Sequence, residues 1–184
     1  MNAPDLTRRR ALLAAASLPV AAGLSGCAAV EPVVYSDQKP ILDLKRYFDG
    51  TIDGWGMFQD RSGKVLRRFT VVIQAGWQGD TGTLDEAFVW SDGERQRRVW
   101  TLRQAAPGRF SGTADDVVGQ AEGVAVGNAL RWRYTMALPV DGRVWHVDFD
   151  DWMFLVDDRV LLNRATMSKF GVRLGEVTLS MTRR

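Results

Sequence analysis

The sequence predicts an all-β protein: an antiparallel up-and-down barrel of about nine or ten strands, preceded by a short N-terminal helix. Three observations carry that prediction. From Asp49 onward, short aromatic and β-branched runs are divided at hairpin-like intervals by turn signals. These are Asp60-Arg61-Ser62-Gly63, Gly79-Asp80, Asp92-Gly93, Pro107-Gly108, Asp141-Gly142 and Asp157-Asp158. The longer runs alternate with a period of two, as strands with one face on a core must. In 65–77, Val65, Phe69, Val71, Ile73, Ala75 and Trp77 share one face with Arg67, while Lys64, Arg68, Thr70 and Gln74 lie on the other. Finally, no segment offers a long apolar stripe of helical period. Without helices to cover it, a sheet of this many strands removes its exposed edges by closing on itself.

Composition agrees. The chain has 184 residues, 46% hydrophobic and 25% charged, which suits one domain with a sizeable core and excludes a disordered acidic or basic protein. Arg8, Arg9 and Arg10 against Asp5 account for the whole net charge of +2, so residues 27–184 are neutral. A neutral domain lacks the electrostatic footprint of a nucleic-acid binder, and no nucleic-acid partner is expected. Cys27 is the single cysteine, which excludes an intrachain disulfide and a cysteine-rich metal site.

Residues 1–26 read as a signal peptide. MNAPDLTRRR is a basic start, and the following ALLAAASLPVAAGL is apolar over 14 residues, too short to span a bilayer but suited to an export signal. The run ends in Leu24-Ser25-Gly26-Cys27, which resembles the bacterial lipoprotein box. The resemblance implies cleavage before Cys27, a thioether-linked diacylglycerol on its sulfur and acylation of the new amine. It therefore implies a membrane partner held by several acyl chains. Thr7-Arg8-Arg9-Arg10-Ala11-Leu12-Leu13 also resembles a twin-arginine export signal, with alanine in place of the usual aromatic; the general secretion route is the alternative. Ala28 after the cysteine is similar to lipoproteins sorted to the outer membrane, so the expected location is the cell envelope, facing the periplasm.

Residues 27–39 read as a lipid-attached tether and 40–184 as the barrel domain. Ile41–Phe48 suits one or two helical turns. Strands are expected near 51–60, 64–77, 82–90, 94–104, 109–114, 122–127, 129–138, 143–156, 159–168 and 172–182. The stretch 115–123 carries spaced glycines but no phosphate-loop lysine and no following helix, and reads as a bent or bulged barrel connection.

The inward faces carry the candidate site. A three-residue loop at Ser91-Asp92-Gly93, with glycine in the left-handed position, pairs Trp90 with Glu94. That register sets Glu86 opposite Arg98 and Leu84 opposite Trp100, placing both charges among large apolar groups. Such burial is tolerable where the two satisfy each other, so the pair either fixes register or faces a ligand. In 145–155 the odd positions Trp145, Val147, Phe149, Met153 and Leu155 share their face with Asp151. A two-residue turn at Asp157-Asp158 sets Asp151 opposite Arg164; a three-residue turn instead puts Asn163 opposite Met153, beside Asp151. Glu86 and Asp151 together are a candidate carboxylate pair for acid–base work. His146, the single histidine, alternates with Asp148 and Asp150 on the polar face, where a hydrated surface is the expected reading rather than a metal site. There is no Gly-x-Ser-x-Gly elbow, and no cofactor is expected. Seven tryptophans (55, 77, 90, 100, 132, 145 and 152) either fill a core or line a cavity.

Four segments carry a family resemblance. FDGTIDGWGMFQDRSGKVLRRF, LDEAFVWSDGERQRRVW, GTADDVVGQAEGVAVGNALRWRY and DDWMFLVDDRVLLNRATMSKFG resemble the uncharacterised bacterial lipoprotein family known as domain of unknown function 3833. The likeness extends from about Ile41 to Leu179, and it implies no activity. Gly54-Trp55-Gly56 after a short helix resembles the opening of lipocalin-like (calycin) barrels. That looser likeness implies a cavity for lipids or other apolar molecules.

The functional expectation is an exported lipoprotein that binds a lipid or other apolar small molecule. Its site would draw on Glu86, Trp90, Arg98, Trp100, Asp151, Asn163 and Arg164. A structural or assembly lipoprotein with a filled barrel is the alternative, and an enzyme the third reading. An open apolar cavity favours the first, a tryptophan-packed interior the second, and a cleft joining Glu86, Arg98 and Asp151 to solvent the third.

Overall fold

The computed structural model describes residues 29–184. The expected signal peptide and Cys27 lie outside the described residues. Ten antiparallel strands form one closed up-and-down barrel in which β1 (Gly50–Asp60) pairs with both β2 (Val65–Gln78) and β10 (Val172–Arg183). Between them run β3 (Thr81–Trp90), β4 (Arg95–Ala106), β5 (Arg109–Thr113), β6 (Ala121–Val126), β7 (Ala129–Val140), β8 (Arg143–Leu155) and β9 (Val160–Lys169), each paired with its sequence neighbours. The period-two alternation thus places one face of every strand inside. Gly54 and Gly56 make room there, since a Cβ on Gly56 would meet the Phe69 ring at 2.3 Å.

The helix is one turn, α1 (Leu44–Tyr47), started by Asp43, whose side chain accepts from the Arg46 amide at 3.2 Å. It closes one end of the barrel. Leu44, Tyr47 and Phe48 are buried against Ile52, Leu130, Leu161 and Met181. The Tyr47 hydroxyl lies 3.1 Å from the Arg159 carbonyl oxygen and 3.2 Å from that of Met181, donating toward both. Lys45 adds an ion pair to Asp80 in the β2–β3 turn at 2.7 Å.

The segment expected as a tether has structure of its own over the described part. A 3-10 turn, Pro32–Tyr35, lies on the outer face of the barrel, where Tyr35 meets Trp152 and Phe154 edge-on at 5.7 and 5.2 Å. Arg131 binds Glu31 at 3.1 Å and Asp150 at 2.7 Å. The segment has no periodic pattern because it is docked by single residues, Glu31, Pro32 and Tyr35, rather than by a repeating face.

Strands β5 and β6 are short and flank only the helix end of the wall. Toward the other end, the gap between β4 and β7 is covered by the connection 114–120, the bent segment the spaced glycines predict. It runs beside β7 through a Val117–Met136 bridge and through amide–carbonyl bonds of Val118 to Thr135 and Ala137 to Asp116.

Candidate functional site

The barrel encloses a cavity of about 480 Å³ that opens at the end opposite α1. Its floor is apolar and aromatic, formed by Leu44 and Phe48 with Trp100, Leu102, Leu130 and Trp132. Its mouth carries Phe69, Phe88, Trp90 and Met167, and then Arg67, Glu94 and Leu138 at the rim. Between floor and mouth, Glu86, Arg98, Tyr134, Asp151 and Asn163 form a polar layer.

The β3–β4 hairpin delivers the first half of that layer. Trp90 N–H donates to the Glu94 carbonyl at 2.9 Å, and Gly93 takes φ 88°, a conformation that side chains disfavour. The resulting register sets Glu86 opposite Arg98 and Leu84 opposite Trp100, as the loop length predicts. The two charges do not satisfy each other as a pair, however. Arg98 Nε and Nη2 bind both oxygens of Asp116 at 2.8–3.0 Å, whereas the nearest Glu86 oxygen is 3.6 Å from Arg98 Nη1. The 114–120 connection thus brings the main partner of Arg98, and Glu86 is the looser neighbour with its carboxyl open to the cavity. Burial pushes the Glu86 carboxyl up to about 7 despite the opposing pull of Arg98, and the Asp116 charge adds to the rise.

The β8–β9 hairpin delivers the other half. The loop at 157–159 has three residues, with the Val156 amide bonded to the Val160 carbonyl at 2.9 Å. Asn163 therefore pairs with Met153, and its amide reaches diagonally to donate to Asp151. Asp151 is 7% exposed, and burial pushes its carboxyl up to about 7 while the Asn163 hydrogen bond opposes the shift. Tyr134 stands between the two halves, stacked on Phe149 at 4.9 Å and edge-on to Trp100 at 5.4 Å. Burial raises its phenol well above the ordinary value.

One expected site residue is misplaced. Arg164 pairs with Trp152 on the outer face, where it is exposed and bound to Glu176 at 2.7 Å. The three-residue turn shifts it by one position, and a one-residue shift moves a side chain to the other face. Trp90, Trp100, Asn163, Asp151, Glu86 and Arg98 all line the cavity. The tryptophans divide their roles: 90, 100 and 132 line the cavity, Trp77 packs on the core beside Phe110, Trp55 and Trp145 are exposed, and Trp152 lies under Tyr35 outside. Sequence reasoning missed Asp116 and Tyr134. Tyr134 was within reach, since it shares the even positions of β7 with buried Leu130, Trp132 and Met136. Asp116 sits in a connection without any period and left no signal.

On the outer face, Asp148 accepts from the Thr135 hydroxyl at 2.7 Å and Asp150 is held by Arg131. No cluster of three metal-ligating side chains occurs among the described residues.

The chain belongs to the family of proteins of unknown function DUF3833, whose model matches residues 21–183. No protein of curated function matches it. Its fold is similar to that of an S-type phycobiliprotein lyase from Guillardia theta, with a TM-score of 0.56 at 5% identity over 78% of this chain and 93% of that one. It is also similar to a DUF3598-family protein of unknown function from Nostoc punctiforme, with a TM-score of 0.50 at 11% identity over 80% of this chain, which spans about half (51%) of that longer protein. The structure of EF1p2_mFAP2b bound to DFHBI matches at a TM-score of 0.43 and 10% identity, over 77% of this chain and all (100%) of that one.

Proposed function

We propose that this protein is an exported, lipid-anchored barrel that takes one apolar or amphiphilic small molecule into its interior at the cell envelope. The observation that carries the reading is the open cavity: about 480 Å³, aromatic at floor and mouth, with a few convergent polar groups halfway down. That volume lies within the range of roughly 300–1,000 Å³ usual for small-molecule sites, and barrels of about eight or more strands hold one such ligand. A barrel packed solid would have favoured a purely structural role.

Two features outside the cavity support a membrane setting. Leu24-Ser25-Gly26-Cys27 has the pattern of an acylation site. Near the mouth, Phe170 is 90% exposed and Val144 67%, with Trp145 and Val172 also exposed and Lys169 placed over both the Trp145 and Phe170 rings. An apolar rim with an interleaved cation suits a mouth that exchanges its ligand with a lipid phase.

Acid–base chemistry is the second reading, favoured by one observation: Glu86 and Asp151 open into the same cavity, each with its carboxyl pushed up to about 7. It requires that a bound molecule be converted, whereas a carrier returns it unchanged.

The test uses an uncharged, environment-sensitive naphthalene probe with the purified full-length chain. Saturable one-to-one binding, with a change in tryptophan emission and intact probe recovered afterwards, is the expected result. Absence of any saturable binding overturns the carrier reading. In cells, Cys27→Ser should release the domain from the membrane fraction or leave it as an uncleaved precursor. A cleaved variant still tethered at high salt would refute the lipid anchor.

A further inference from the structure

We propose that the head of the ligand is cationic and hydrogen-bond-donating, an alkyl ammonium rather than a carboxylate or phosphate. This deepens the carrier reading and rests on it. Two guanidinium groups reach the cavity, and each is already held by carboxylates. Arg98 makes three hydrogen bonds to Asp116 and has Glu86 3.6 Å away. Arg67, at the mouth, binds Asp92 at 2.7 Å and Glu94 at 2.8 Å and lies over the Trp90 ring at 4.2 Å. No lysine or histidine lines the cavity among the described residues. An anionic head in the polar layer would therefore have to compete with Asp116 for Arg98, and at the mouth with Asp92 and Glu94 for Arg67, whose buried Nε has no partner.

The acceptors are in the opposite condition. Glu86 projects from β3 into the cavity and is the looser of the two carboxyl partners of Arg98, 3.6 Å from it. The groups facing it are Arg98 and the Trp100 indole from β4, Asp116 from the connection, and Asp151 from across the cavity. Asp151 projects from β8, bound by Asn163 on β9 and near Tyr134 on β7. The polar layer thus holds two carboxyls, Glu86 and Asp151, while its one guanidinium is bound from the 114–120 connection by a third, Asp116. Phe88, Trp100 and Tyr134 border the layer, and the Phe88 ring already carries the Arg98 guanidinium at 5.6 Å, an arrangement that shows the layer accepts a cation against an aromatic face. An ammonium entering this layer donates to both open carboxyls and supplies the charge they lack. An anion there meets two carboxyls whose ionisation burial already opposes.

The experiment compares three ten-carbon probes at pH 8 with the full-length chain: decylammonium, decanol and decanoate. Each is kept below its micelle concentration and followed by calorimetry and tryptophan emission. Decylammonium should bind roughly tenfold or more tightly than decanol, and decanoate more weakly than decanol. Decanoate binding as well as decanol or better overturns the charge assignment and leaves the carrier reading standing. Failure of all three overturns both. Glu86→Gln should shrink the advantage of decylammonium over decanol, and so should Asp151→Asn. An advantage unchanged in Glu86→Gln overturns the role of that carboxyl even if the more buried Asp151→Asn chain does not fold.

Discussion

The floor of the barrel and the polar layer above it are built from the same alternating strands, yet they are held on opposite energetic terms. At the floor, Leu44, Ile52, Leu130 and Leu161 are at most 2% exposed, and the Tyr47 hydroxyl finds backbone carbonyls within 3.2 Å. The apolar contacts there favour folding. One layer up, Glu86 and Asp151 are taken out of water and line the cavity, and burial raises both carboxyls to about 7 despite Arg98 beside one and Asn163 bound to the other. Burying a carboxyl in that way costs stability. Groups kept at such a cost inside a cavity point to binding, while the floor supplies the stability that tolerates them.

The largest effect that sharpens this contrast is expected at the floor. Leu161 is fully buried between β8 and β10, and Leu161→Ala should cost about 2–5 kcal/mol through lost burial and the void left behind. The loss should be nearly the same at pH 5 and pH 8, since no titrating group changes its surroundings. Denaturant unfolding at the two pH values checks this. A loss that differs strongly between them would mean that floor and polar layer are energetically one unit.

The two regions also differ in how legible they are in the sequence. All ten strands and the closed topology follow from alternation and turn residues, because an inward face must be apolar over most of its length. The Glu86–Arg98 register is equally readable, since Ser91-Asp92-Gly93 allows one tight loop. The residues around Asp151 are not. Asp157-Asp158-Arg159 suits two turn lengths, and the choice decides whether Asn163 or Arg164 reaches the interior. Asp116 is hidden for a deeper reason. It reaches Arg98 from a connection that covers the gap between β4 and β7, and that juxtaposition exists only once the barrel has closed. The sequence suggests an isolated pair of charges; the folded chain makes a guanidinium shared unequally by two carboxylates.

That unequal sharing yields the smaller and more discriminating prediction. If Glu86 were the essential partner of Arg98, its loss would strand a buried cation and cost several kcal/mol. With Asp116 holding Arg98, Glu86→Gln should instead be tolerated, and the sign of its effect should depend on pH. The Glu86 carboxyl is raised from its ordinary 4.5 to about 7 in the folded chain. The folded state therefore binds this proton more tightly than the unfolded state does. Its stabilising contribution is complete below about pH 4.5 and is lost as pH rises through about 7. Glutamine cannot ionise and escapes that loss. Near pH 5 the variant should match the parent protein to within a few tenths of a kcal/mol, whereas at pH 8 it should be more stable by on the order of 1–2 kcal/mol. Asp151, raised to about 7 by the same burial, remains in the variant, so a shallower fall with pH should persist. Thermal unfolding across pH 5–8 reads both quantities. A variant that loses several kcal/mol at every pH would show that Glu86, not Asp116, carries the guanidinium, and the barrel's open acceptor would then be Asp151 alone.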